Sequence, residues 1–129
     1  RFDVVDPFEL AFGECRFYGR GDEAELSCRL TVRNDANEPR DLALGGTCLL
    51  IDNQDREYPP AEVHIGKRNL TAPTADASIT HTLAPGEQVN VEVVFDTISR
   101  QKKKAGVLRI PLGEAGTAEF SAFKFERDD

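Results

Sequence analysis

Two stretches of strict alternation constrain this chain more than any other feature. Ala24, Leu26, Cys28, Leu30 and Val32 point one way, while Glu23, Glu25, Ser27, Arg29, Thr31 and Arg33 point the other. A period of two sustained over that length is the pattern of a half-buried β-strand, and no helix could bury those apolar residues on one side. Val89, Val91, Val93 and Phe95 alternate with Gln88, Asn90, Glu92 and Val94 in the same way, opened by the turn residues Pro85-Gly86 and closed by Asp96. Such strands belong to antiparallel sheets with one face on a core and the other in water.

The remaining sequence reads as shorter pieces of the same kind. Phe8, Leu10 and Phe12 hold one phase and Cys15 and Phe17 the other, so a β-bulge is expected near Gly13 to absorb the switch. Weaker strands fit Asp41 to Leu44, Thr47 to Ile51, Arg56 to Tyr58, Ser78 to Leu83, Val107 to Leu112 and Thr117 to Phe125. Turn-forming residues separate them at Asn34 to Pro39, Gly45-Gly46, Asp52 to Asp55 and Gly113 to Gly116. A helical turn is allowed only at Thr97 to Ala105, and Lys67 to Asp76 reads as a long crossing loop. The expected fold is all-β, an immunoglobulin-like antiparallel sandwich of about seven to nine strands. It occupies residues 8–126 as a single domain, between a flexible N-terminal tail (1–7) and a C-terminal tail (127–129).

Composition sets limits on partners. The 129 residues allow one core of ordinary depth. Val, Ile, Leu and Phe number 33, enough apolar surface to exclude intrinsic disorder for the bulk of the chain. Its longest apolar runs are far shorter than a membrane-spanning helix. Sixteen Lys and Arg against 23 Asp and Glu leave a net charge of −7. Nucleic acid is a poor partner for that sign. Residues 1–64 carry seven basic and fourteen acidic side chains and the rest nine of each, so the whole excess lies in the first half. The chain holds no Met and begins at Arg1. The reading therefore expects a removed leader, or a membrane tether upstream of residue 1, with a fragment of a larger cytosolic protein as the alternative.

Leu30-Thr31-Val32-Arg33-Asn34, Leu50-Ile51-Asp52 with Tyr58 six residues on, Leu83-Ala84-Pro85-Gly86-Glu87 and Val93-Val94-Phe95-Asp96 form a recognisable series. Together they resemble the bacterial exported immunoglobulin-like domains of unknown function, of the immunoprotective extracellular antigen type. Asp55 departs from the Gly often found there in the turn before the Tyr. The resemblance spans roughly residues 8–125 and implies a small sandwich that is periplasmic, secreted or held on the membrane by an N-terminal lipid. It implies no catalytic residue.

If Arg20 to Asp22 is a hairpin tip, Cys15 lies opposite Cys28 and Phe17 opposite Leu26 on one buried face. A Cys15–Cys28 disulfide is then expected in an oxidising compartment, with two buried thiols as the alternative. Cys48 reads as a buried free thiol, lacking both a CxxC spacing and a basic neighbour. His64 and His81 lie in different elements without a metal-binding motif, and His81 shares a face with Ile79 and Leu83. The turn Asp52-Asn53-Gln54-Asp55 lacks the order of a calcium loop. No nucleophile elbow, phosphate-binding loop or triad context is present. A lectin-like role is disfavoured because there is no Trp and only Tyr18 and Tyr58.

Arg100, Lys102, Lys103 and Lys104 are the one basic cluster, read as a solvated loop or as a contact for an anionic surface. Asn69-Leu70-Thr71 is a glycosylation sequon of consequence only in a eukaryote. The functional expectation is a non-enzymatic, exported binding or structural module acting on an unidentified protein or envelope component, without a cofactor. The alternative is a small-ligand or metal carrier using the loops around His64 and Lys67 to Asp76.

Overall fold

The computed structural model describes residues 1–19 and 22–127. Of the expected hairpin tip Arg20 to Asp22, Arg20 and Gly21 lie outside the described residues, as do positions 128 and 129. The chain is an all-β, immunoglobulin-like antiparallel sandwich with no α-helix among those residues. In order, the strands are β1 (Phe2–Val5), β2 (Phe8–Tyr18), β3 (Glu23–Asn34), β4 (Arg40–Gly45), β5 (Leu49–Asp52) and β6 (Glu57–Tyr58). There follow β7 (Glu62–Ile65), β8 (Arg68–Thr71), β9 (Ser78–Leu83), β10 (Gln88–Ser99), β11 (Ala105–Pro111) and β12 (Thr117–Ser121). A six-stranded sheet runs β1-β2-β3-β10-β7-β8, a four-stranded one β12-β11-β5-β6, and β4 pairs with β9.

The alternation read in β3 and β10 is what buries the core. Leu26, Cys28 and Val32 of β3 and Val93 and Phe95 of β10 are fully covered, as are Leu50 of β5 and Leu108 and Ile110 of β11. The phase switch in β2 is a bulge: the β2–β3 register slips between Phe12 and Glu14, and Gly13 sits there because a Cβ would lie 3.0 Å from the carbonyl oxygen of Arg29. Beyond the slip Cys15 faces Cys28 and Phe17 faces Leu26. The Cys15–Cys28 disulfide is formed, with Cα atoms 3.9 Å apart, and Cys48 is a buried free thiol.

Several expectations need correction. Residues 2–5 are not a loose tail. They pair with β2 from Phe2↔Ala11 to Val5↔Phe8, and an Asp3 carboxylate oxygen accepts the Glu119 N–H of β12 at 2.9 Å. Lys67 to Asp76 is not one long loop, because β8 folds back on β7 through a two-residue turn in which Gly66 takes a φ of 57°. Those strands went unread because β7 and β8 place only Val63, Ile65 and Leu70 against the core. No helical turn forms at Thr97 to Ala105. β10 continues to Ser99, the β10–β3 register slips between Phe95 and Ile98, and buried Ile98 then pairs with Ala24. Burying Ile98 outweighs the weak helix propensity of its polar neighbours. At the C-terminus β12 stops at Ser121, before Ala122 with its φ of 55°, and Phe123 and Phe125 then turn inward. Arg127 is no loose end either: its guanidinium donates to the Lys102 carbonyl at 2.6 Å and lies 5.0 Å over the Phe17 ring.

Candidate functional site

The outer face of the six-stranded sheet carries side chains that the alternation leaves in water, and the register orders them into rows. Glu14, Arg29, Glu92, His64 and Asn69 stand side by side on β2, β3, β10, β7 and β8. Glu92 is the hub of the row. It accepts the Ser27 hydroxyl, its carboxylate lies 3.6 Å from the Arg29 guanidinium, and it is in register with His64. Arg29 also lies 5.6 Å over the Tyr18 ring. The His64 ring is held from both sides, by Asn69 at Nδ1 and by Glu62 at 3.2 Å from Nε2. Beside the row the side chains are short, and this leaves a groove of about 630 Å³ floored by Ala11, Gly13, Thr31, Asn90 and Gly66.

The structure separates the other residues singled out by sequence. His81 sits half-buried on β9, opposite Leu42, in a different sheet from His64. Among the described residues no three His, Cys, Asp or Glu side chains converge as metal ligands. The sequence contains no Met, so a thioether is not among the donors it can offer.

The four residues of the basic cluster do not project together. The Arg100 guanidinium bonds to the Gly19 carbonyl and lies 5.9 Å over the Phe17 ring. Lys102 pairs with buried Asp52 at 3.2 Å and donates to the Gln54 side chain at 2.6 Å. Lys103 and Lys104 stay exposed, and a bridge Lys104↔Lys124 adds a third lysine that lies twenty residues away in sequence.

Asp52 is the most constrained ionisable group. Its carboxylate accepts the N–H groups of Gln54 and Arg56 at 2.8 and 2.9 Å and the Tyr58 hydroxyl at 3.2 Å. Burial alone would raise its pKa, but the Arg56 and Gln54 N–H groups, Lys102 and Tyr58 together hold it below the ordinary carboxylate value. The same burial and the Asp52 charge push the Tyr58 hydroxyl up. The constellation pins the β5–β6 turn to the basic loop.

These features define a β-sandwich with a grooved polar face. No family model matches the chain, and no curated protein does so either. Among solved structures, the apo PmoF2 PCuAC domain shares the fold at a TM-score of 0.63 and 18% identity, over 100% of this chain and 97% of that one. An uncharacterised β-sandwich protein from Clostridium difficile 630 aligns at a TM-score of 0.50 and 13% identity, over 98% and 88%.

Proposed function

We propose that this protein is a non-enzymatic, extracytoplasmic binding module whose working surface is the outer face of the six-stranded sheet. The observation that carries this reading is the row Arg29–Glu92–His64 beside its groove: polar side chains held in place on paired strands, along a concavity of about 630 Å³. The Cys15–Cys28 disulfide supports an oxidising compartment outside the cytoplasm.

The test is retention of the immobilised protein on envelope fractions of the source organism, compared with an Arg29→Ala/His64→Ala double variant. Retention that falls in the variant is expected; equal retention would return this face to plain solvated surface. A carrier role is the second reading, favoured by the fold likeness to a domain described in its apo form. Native mass spectrometry and a thermal-shift screen over transition metals, copper included, distinguish the two. A stoichiometric metal would overturn the binding-module reading.

A further inference from the structure

The floor of the groove is itself a register row. Phe2, Ala11, Thr31, Asn90 and Gly66 follow one another across β1, β2, β3, β10 and the turn that ends β7: Phe2 pairs with Ala11, Ala11 with Thr31 and Thr31 with Asn90, and the Gly66 N–H donates to the Asn90 carbonyl at 2.9 Å. At about 4.8 Å between strands this row is roughly 19 Å long. The flanking rows carry longer side chains, Arg29 with Glu92 at 3.6 Å on one bank and Arg33 with Glu9 at 3.0 Å on the other. At one end stand Phe2 and Val4, 73% and 65% exposed, the two large apolar side chains left in water among the described residues.

We propose that this groove binds a linear, uncharged polysaccharide. The inference rests on the binding-module reading and names its ligand class. The first ground is the placement of the groove on a sheet face. β2, β3 and β10 are each paired on both sides, so their main-chain groups are consumed by the ladders and a peptide cannot add there as a strand. A ligand on this face is read by side chains alone. The floor offers the Thr31 hydroxyl and the Asn90 carboxamide, groups that both donate and accept hydrogen bonds, as the hydroxyls of a sugar do. The second ground is charge. Arg29 is paired with Glu92, Arg33 with both Glu9 and Asp35, and Glu14 with Arg16, so the banks offer a polyanion no uncommitted guanidinium and a polycation only carboxylates already held in ion pairs. The third is the uncovered Phe2 ring at its mouth, an apolar platform of the size needed to pack the C–H face of a pyranose. It supplies the aromatic that the absence of Trp and the placement of Tyr18 beneath Arg29 withhold.

Amide-resolved NMR titration of the full chain with cellohexaose and with chitohexaose tests this, with hexaglutamate and hexalysine as charged comparisons. Shifts confined to the amides of Ala11, Gly13, Thr31, Gly66 and Asn90 are expected with at least one oligosaccharide. Phe2→Ala, at an exposed position outside the core, should weaken that binding roughly fivefold. Thr31→Arg, which fills the floor, should abolish it. No shift at millimolar oligosaccharide, shifts elsewhere, or a larger response to either charged peptide would overturn the proposal. Envelope retention that depends on Arg29 and His64 while both oligosaccharides leave the groove amides unmoved would overturn it and leave the binding-module reading standing.

Discussion

A single carboxylate shows how local chemistry sets behaviour here. Asp52 has a folded-state pKa below its ordinary value, so the stability it contributes is fully present above that ordinary value and is lost as pH falls through the folded one. Asp52→Ala should therefore cost about 1 to 3 kcal/mol at pH 7, by leaving the N–H groups and the Tyr58 hydroxyl short of an acceptor, and progressively less in acid. Urea unfolding of both proteins at pH 7 and pH 3 reads the difference; an unchanged gap would show that the carboxylate is not the charged acceptor. The cysteines give a second prediction. Under denaturing, non-reducing conditions one thiol should label, because Cys15 and Cys28 are bonded. In the folded protein at pH 8 that thiol, Cys48, should resist labelling, since it is buried and burial pushes it up to about 11. Three labelled thiols would refute the bridge. The pairing of Cys15 with Cys28 was legible because both lie in strongly alternating strands on either side of one turn. The meeting of Asp52 with Lys102 was not, because no local pattern encodes a contact over fifty residues.

Among the elements, β3 and β10 were read from strong patterns and β4, β5, β6, β9, β11 and β12 from weaker ones, while β1, β7 and β8 were not read. β3, β9 and β10 alternate over most of their length, and their phases are the observed ones. β1 was hidden because its outward residues, Phe2 and Val4, are apolar and mask the alternation. β7 and β8 were hidden because four residues each is too short for a period to show. The groove shares this fate. Arg29, Thr31, Asn90 and Glu92 were all placed correctly on polar faces, but which of them stand side by side depends on cross-strand register. Close approach of elements gives a sharper test than burial. At Gly45, the end of β4, a Cβ would lie 1.9 Å from the Ala77 carbonyl oxygen, which is backbone and has no free rotation to escape. Gly45→Ala should push the start of β9 away and lower stability by roughly 2 kcal/mol or more in thermal or chemical denaturation. Wild-type stability in this variant would mean that the β4–β9 pair adjusts freely.

For the molecule as a whole, the distribution of charge decides which basic residues are available. Arg100 and Lys102 are spent on internal contacts, so three exposed lysines, Lys103, Lys104 and Lys124, remain at that end against a body at −7. At about 1 kcal/mol each near an anionic membrane they give an upper limit of roughly 3 kcal/mol, a millimolar-or-weaker attachment. Co-sedimentation with anionic vesicles should therefore appear at low salt, vanish near 0.15 M, and be lost in the Lys103→Ala/Lys104→Ala/Lys124→Ala variant. Salt-insensitive sedimentation of both proteins would sink this reading. Arg100→Ala and Lys102→Ala should instead lower stability, with little effect on sedimentation.

The bulge at Gly13 makes strand β2 a matter of odd and even. On its N-terminal side the even-numbered residues Phe8 and Leu10 face inward, and on its C-terminal side the odd-numbered Cys15 and Phe17 do. Gly13 is the one residue that converts the count. Deleting it would join two halves that then share one phase: Phe8, Leu10, Phe12, Cys15 and Phe17 would all face inward in unbroken alternation, and Cys15 would stay opposite Cys28. What the extra residue supplies is the local bend and added twist of the strand, not the burial of its side chains. A chain lacking Gly13 should accordingly keep its disulfide and its inward face while β2 straightens.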